Sequence, residues 1–240
     1  MDLLTHTNTF VEVEQIPTPF TPIGSKFVFS HKKDVSGKIT QFKARLVAQG
    51  FSQQEGINYM STFAPVVRLT SIQITLAIAT HLNLKMDHID VKTAFLNGKI
   101  DEEIYMQAPM GFERLGLDTG NLWRLHGSLY GLKQASQIWN NLLDQVLKSF
   151  GWCRLSSDWC IYIWRDEKGH LMILAIHIDD MLLTGNSRKL MEEAKAWLAK
   201  HFKNKDMGSP KLIVGLEVIR DEKEGTTVIS QGHFINELAV

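Results

Sequence analysis

The stretch Ala175-Ile176-His177-Ile178-Asp179-Asp180-Met181-Leu182-Leu183 sets the tightest limit on the fold. Two apolar runs meet at adjacent aspartates, which reads as a hairpin of buried strands carrying two negative charges at its tip. An isolated Asp-Asp would read simply as a turn. A second acidic strand end changes that reading: Lys85 to Asp90 is another short strand, followed by Val91-Lys92-Thr93-Ala94-Phe95 and the turn signal Asn97-Gly98. Three carboxylates at the ends of two adjacent strands make a hard oxygen site suited to Mg²⁺, which takes one or two carboxylates together with waters and substrate phosphates. Two such ions ~3.5–4 Å apart can clamp an in-line displacement, so the expected chemistry is phosphoryl transfer.

The rest of the chain mixes helix and strand periods without a regular βαβ rhythm, which predicts an α+β fold. Helical spacing joins Ile74, Ala77, Ile78 and Leu82. It also joins Trp139, Leu142, Leu143, Val146, Leu147 and Phe150, a face closed by Gly151. A third helix is expected from Ser187 as N-cap to His201, with Leu190, Ala194, Trp197 and Leu198 on one side. Further strands are expected at Ile161 to Trp164, Leu171 to Ile178, Met181 to Thr184 and Leu212 to Ile219. Lys26 to Phe29 and Ile39 to Val47 flank the turn signal Asp34-Val35-Ser36-Gly37 and predict a basic hairpin. Residues 1–25, with Pro17, Pro19 and Pro22, read as a poorly structured lead-in.

Charge is balanced overall, with Lys plus Arg and Asp plus Glu each at 26, so no global basic signature points to a polyanion. The distribution is blocky, however. Lys26, Lys32, Lys33, Lys38, Lys43 and Arg45 stand against Asp34 alone, and Lys195, Lys200, Lys203, Lys205 and Lys211 against Asp206. An acidic block spans Asp101 to Asp118. Such a chain can hold a polyanion locally. Cys153 and Cys160 have neither zinc nor disulfide spacing, and no apolar run approaches the ~18 residues of a membrane span. These features predict a reducing, intracellular protein without membrane insertion.

Several stretches closely resemble the reverse transcriptase of copia-type long-terminal-repeat retrotransposons. They are Phe42-Lys43-Ala44-Arg45-Leu46-Val47-Ala48-Gln49-Gly50-Phe51, Thr62-Phe63-Ala64-Pro65-Val66-Val67-Arg68, Asp90-Val91-Lys92-Thr93-Ala94-Phe95-Leu96-Asn97-Gly98, Glu103-Ile104-Tyr105-Met106, Ser128-Leu129-Tyr130-Gly131-Leu132-Lys133-Gln134-Ala135 and the Asp179-Asp180 hairpin. They follow the family's order over residues 22–238. The resemblance implies a right-hand polymerase with an antiparallel palm sheet. Its lead-in would be 1–25, its fingers 26–84 and 99–134, its palm 85–98 and 135–230, and the start of a truncated, largely absent thumb 231–240. By the same resemblance Asp90, Asp179 and Asp180 are the catalytic metal carboxylates, holding two Mg²⁺ ions with Mn²⁺ as the alternative. Asp180 is the less intimate ligand. Phe95 crowds the sugar's 2′ position, Lys33, Lys43 and Arg45 supply the hold on the incoming triphosphate, and Gln134, Tyr130 and Gly131 shape the nucleotide pocket.

The implied partners are an RNA or DNA template with its primer, deoxynucleoside triphosphates, and the rest of a polyprotein with integrase and ribonuclease H. The implied location is a cytoplasmic virus-like particle or the nucleus. Departures from the family pattern are His177-Ile178 in place of Tyr-Val, Ser136-Gln137 in place of Pro-Arg, and Lys26-Phe27 in place of Lys-Trp. They keep open the alternative of a decayed polymerase-fold remnant that binds nucleic acid or protein without catalysis. A Mg²⁺-dependent nuclease finds no general-base histidine at a telling spacing.

Overall fold

The computed structural model describes residues 9–33, 38–112, 122–232 and 235. In chain order the elements are β1 (Phe10–Glu12), β2 (Ser25–Lys33), β3 (Ile39–Ala48), α1 (Leu69–His81), β4 (Lys85–Val91), β5 (Lys99–Gln107), β6 (Leu122–Gly127) and α2 (Ala135–Phe150). They continue as β7 (Cys153–Arg154), β8 (Ile161–Arg165), β9 (Leu171–His177), β10 (Asp180–Gly185), α3 (Arg188–His201), β11 (Asn204–Gly208), β12 (Leu212–Ile213), β13 (Leu216–Asp221) and β14 (Thr226–Ser230). The chain divides into two units, one of residues 1–64 and 95–139, the other of 65–94 and 140–240.

The second unit is built on a six-stranded antiparallel sheet in the order β11-β4-β10-β9-β8-β7. Strand alternation with the observed register sorts its side chains onto two faces. Met86, Leu182, Ala175 and Ile161 lie on the face that packs with Ile72, Leu76 and Ala79 of α1 and with Ile213, Leu216 and Val218. Asp87, Leu183, Leu174 and Tyr162 point to the opposite side. Both faces are covered, so β9 and β10 read as nearly unbroken apolar runs.

On that opposite side a buried ion cluster ties α3 to β4 and β11. Asp87, with a side chain only 2% exposed, accepts two hydrogen bonds from Arg188 Nη1 at 2.7 and 2.8 Å. It takes a third from Lys195 Nζ at 2.9 Å. Lys195 also reaches Asp206 on β11 at 2.6 Å and Glu192 one helical turn away at 2.7 Å. Burial works against the Lys195 charge, but the hydrogen bonds it donates to Asp206, Asp87 and Glu192 outweigh it and hold the ammonium above its ordinary range.

In the first unit β1, β6 and β5 form a three-stranded sheet, and β2 and β3 a separate ribbon. Ile23, Leu46, Ile104, Met106, Trp123, Leu125 and Leu129 make its core. Residues 9–25 are not the poorly structured lead-in that their prolines suggest. Phe10 to Glu12 pair with Trp123 to Leu125, and the Phe10 ring stacks on Trp123 at 4.2 Å. Ile23 bridges to Met106, donating from its N–H to Tyr105 O and accepting from Gln107 N, both at 2.8 Å. Those long-range partners are invisible in a local reading of composition.

Other expectations are corrected by backbone geometry. Leu212 to Ile219 is not one strand: Val214 and Gly215 take φ of 48° and 76°, and the chain folds back between β12 and β13. Ser187 stands at the N-cap of α3, but its side chain makes no capping hydrogen bond. The stripe Ile74, Ala77, Ile78 and Leu82 is the outward side of α1, while Ile72, Thr75, Leu76 and Ala79 are buried. A helix apolar all round gives no sequence cue to which side faces inward. Residues 65–84, expected with the β2–β3 ribbon, pack in the second unit, because α1 buries its inner side against the six-stranded sheet. The turn at 34–37 and most of 231–240 lie outside the described residues. Both cysteines are free, and no described helix is long and apolar enough to cross a membrane.

The ion cluster predicts a stability effect with a defined pH window. Lys195→Met leaves Asp87 with only Arg188 and should cost about 3 kcal/mol, lowering Tm by on the order of 10 °C at pH 7. The Lys195 contribution is full below its ordinary value of 10.5 and fades as pH rises through the raised one. Burial pushes Asp206 up, yet the Lys195 hydrogen bond prevails and holds it below 3.8, so its share is lost as pH falls through that lowered value. Thermal melts of parent and variant from pH 3 to 11 should show a gap that is flat through neutrality and begins to narrow above the ordinary 10.5 at one end and below the ordinary 3.8 at the other. A gap unchanged across that range would refute the assignment.

Candidate active site

The aspartates singled out in the sequence come together at one end of the six-stranded sheet. Asp180 opens β10 and pairs with Asp90 on β4, while Asp179 occupies the turn before it. Val91 N donates to Asp179 O at 2.8 Å, which ties the turn to the same strand end. The hairpin between His177 and Asp180 has the two-residue loop Ile178-Asp179, and Ile178 has φ of 59°. Hairpins of this length need positive φ at the first loop residue, a conformation that costs a β-branched side chain. That turn interrupts the alternation that a continuous strand would impose on two adjacent aspartates.

Register adds a feature that the sequence did not disclose. His177 pairs with Asp180, Asp180 with Asp90, and Asp90 with Lys205, so four strands contribute a single cross-strand row, His177-Asp180-Asp90-Lys205. Directly paired residues share a face, so two carboxylates sit between two groups that can carry positive charge. His88, two residues before Asp90 and on the same face of β4, lies 2.8 Å from Asp180 Oδ1 through Nε2. His88 was missed in the sequence, although its i−2 spacing from Asp90 was the signal that could have found it.

Electrostatics single out Asp179. Burial raises its pKa above the ordinary 3.8, and the Asp180 and Asp90 charges raise it further. A hydrogen bond from its own backbone and the charge of His177 pull the other way. A carboxylate in this position is short of positive charge, and a cation would relieve it. Among the described residues no three His, Cys, Asp or Glu side chains form a ready-made metal-ligand group. The donor set is open and consists of hard oxygen, the type that water and phosphate oxygens complete around Mg²⁺.

The remaining predicted site residues belong to the first unit. Phe95 and Tyr130 meet edge to face at 5.2 Å, and the Arg45 guanidinium lies 5.8 Å from the Tyr130 ring centre. Phe95 also packs on that unit's core and is half-buried. Gly131 has φ of 89°, and a Cβ there would collide with Ala48 O and Val47; Ala48 N donates to Tyr130 O at 2.8 Å. Lys43 shares the Arg45 side of the ribbon, across from Ser30. Lys33 ends β2, and its side chain lies outside the described residues.

Gln134 is corrected from pocket lining to internal tie. It is 1% exposed, donates through Nε2 to Asn58 O at 2.8 Å and accepts from Gln53 Nε2 at 3.0 Å. Gln53 Oε1 in turn accepts from Lys133 N at 2.8 Å, so these amides lock the segment after Gly131 to residues 53–58. Of the family departures, Gln137 donates through Nε2 to Ser61 Oγ at 2.8 Å.

Asp179→Asn should therefore raise Tm at pH 7 by a few degrees in buffer with chelator. The folded-state pKa is raised, so the cost of ionisation is present above it and disappears below the ordinary 3.8. Melts of parent and variant should converge as pH falls through that range. A variant less stable than the parent at pH 7 would contradict the repulsion.

Residues 7–239 match the family described as "Reverse transcriptase (RNA-dependent DNA polymerase)". The chain is 39% identical over 238 residues to the retrovirus-related Pol polyprotein from transposon TNT 1-94 of Nicotiana tabacum, covering 99% of this chain and 18% of that protein. It is 33% identical over 205 residues to the Pol polyprotein from transposon RE1 of Arabidopsis thaliana, covering 85% of this chain and 14% of that one. It thus spans less than a fifth of the length of these relatives. Among solved structures, a foamy viral protease-reverse transcriptase in complex with double-stranded DNA superposes with a TM-score of 0.52 at 12% identity. That match covers 99% of this chain and 35% of the other, and it speaks for the fold alone.

Proposed function

This chain belongs to the reverse transcriptase (RNA-dependent DNA polymerase) family, and on that premise we propose that it is the polymerase domain of a copia-type retrotransposon polyprotein. In this reading it extends a primer on an RNA or DNA template, with the second unit acting as palm and the first as fingers. The observation that carries the reading is the convergence of Asp90, Asp179 and Asp180 on one strand end, with Asp179 burdened by the charge of the other two. The reaction joins the primer's 3′-oxygen to the α-phosphorus of a deoxynucleoside triphosphate, breaks the bond to pyrophosphate and releases the 3′-hydroxyl proton. Asp90 and Asp179 would hold the divalent ions, two Mg²⁺ or Mn²⁺, which supply charge neutralisation at the attacking and leaving oxygens. Asp180, already engaged by His88, would act as the outer member that steadies the turn.

The protein's own residues contribute position and exclusion. The double-faced burial of β4, β9 and β10 fixes where the carboxylates stand, and rigid placement of charge is worth more than flexible charge because no reorganisation is needed during reaction. Arg45 and Lys43 on the ribbon supply positive charge for the triphosphate, with Lys33 as a further candidate. The Tyr130-Gly131 turn, held by the buried Gln134 amide, would present Tyr130 beside Phe95 as the wall against the sugar.

Primer extension on poly(rA)/oligo(dT) with Mg²⁺ tests the reading. The parent should extend, and Asp90→Asn and Asp179→Asn should each lower the rate by several orders of magnitude, because lost charge stabilisation enters the barrier directly. Extension by either variant at a rate near the parent's would sink the assignment. Phe95→Val should separately increase ribonucleotide incorporation, since a steric wall discriminates by exclusion where apolar contact alone cannot. If the ratio of ribo- to deoxynucleotide use stays at the parent's level, Phe95 serves only the core.

A further inference from the structure

Of the three aspartates at the sheet end, one is already engaged. Among the described residues no side chain hydrogen-bonds to the carboxyl of Asp90 or Asp179, whereas Asp180 Oδ1 lies 2.8 Å from His88 Nε2. An ionised carboxylate can only accept, so Nε2 carries the hydrogen and donates it, as the neutral ring can do no less than the charged one. His177 stands opposite Asp180 across the hairpin, but among the described residues its side chain makes no hydrogen bond to that carboxyl.

The fold fixes the donor more firmly than the acceptor. His88 pairs with Leu182 on β10 and with Gly208 on β11, and along its own strand it stands between Met86 and Asp90 on one face. Its side chain is 13% exposed against 35% for Asp180, so the imidazole is the anchor and the carboxylate is what it holds. Leu182 is fully buried, and Asp180, two residues before it, is diagonal to His88 across the β4–β10 pair. An aromatic ring can span that diagonal. On the other flank Gly208 presents no side chain, at the irregularity where β11 shifts register.

Such a bond satisfies part of the charge that a cation would otherwise compensate, and it commits one of the two oxygens. No side chain makes that demand on Asp90 or Asp179. Ion affinity at hard-oxygen sites follows the number and rigidity of the carboxylates presented, so two or three is a difference that binding can read.

We propose that His88 is a positioning residue that withholds Asp180 from the cations, so that the centre offers them two carboxylates instead of three. The proposal rests on the polymerase reading for the identity of the ions, and its test is an ion-binding measurement without primer, template or triphosphate. Mn²⁺ serves as the probe, and the free ion is followed by electron paramagnetic resonance during titration of the full chain. His88→Leu removes the donor and keeps an apolar side chain beside Leu182; it should tighten Mn²⁺ binding about tenfold, because a third carboxylate joins the site. His88→Gln, whose amide N–H can donate to Asp180, should bind as the parent does. Asp180→Asn should change the parent's affinity by less than about twofold yet abolish the gain when combined with His88→Leu, the coupling expected of residues that act through one contact.

Four outcomes would overturn the role of His88: no gain in the Leu variant, weaker binding in it, a gain that survives Asp180→Asn, or equal gains in the Leu and Gln variants, which would reflect only the charge of the ring. If the Leu variant does not fold, single substitutions in the parent decide. A loss confined to Asp90→Asn and Asp179→Asn supports the proposal; an equal loss in Asp180→Asn, or no saturable binding at millimolar Mn²⁺, overturns it. Primer extension by the parent is scored separately. A parent that shows the expected binding pattern yet never extends a primer would refute the polymerase reading alone. A parent that extends while His88→Leu binds Mn²⁺ no more tightly would refute the role of His88 alone.

Discussion

A sheet that is buried on both faces admits only one register. Shifting β10 by one residue against β4 or β9 would exchange the side chains of Leu182 and Leu183, sending each into a layer shaped for the other, and would carry Asp87's partners away from it. The placement of the three aspartates follows from that constraint. Apolar packing and the ion cluster behind β4 decide where the strand ends fall, and the tip chemistry takes whatever position they assign. The cost of breaking register is paid in the core, some distance along the strands from Asp90 and Asp180.

The sequence made this part legible because its signals were local. Apolar runs flanking Asp179-Asp180, a strand ending in Asp90 and the face closed by Gly151 each lie within about ten residues, and each element formed near its expected bounds. What could not be read was long-range. β5 and β6 were hidden in a stretch of high charge, and β1 looked like a tail because its partner lies over a hundred residues away. The row His177-Asp180-Asp90-Lys205 depends on three registers at once, and no window of sequence contains it. His88 was the exception, since alternation along a single strand could have revealed it.

Gln134 shows a different limit. A glutamine in a family motif invites a role towards ligand, yet here the amide is fully engaged by Asn58 and Gln53 inside the first unit. Its neighbours explain why such a tie is required. Gly50 and Gly131 let β3 and the turn after Leu129 approach so closely that a Cβ on either would strike the other's backbone or its neighbour's. Backbones in such contact need their remaining polar groups matched, and a buried amide with two donors and an acceptor does that economically. The Arg45–Tyr130–Phe95 cluster stands on this junction.

The repulsion at Asp179 has an evolutionary consequence. The hairpin holds its shape through Leu174, Ile176, Leu182 and Leu183, none of which needs a carboxylate at the tip. Asp179 is a charge the fold tolerates at a loss, so, on the function proposed above, a copy of this chain that no longer extended primers but still had to fold would drift towards an uncharged residue there. Such a copy would melt later than its ancestor and keep every strand. In this lineage the thermally sturdier protein would be the silent one.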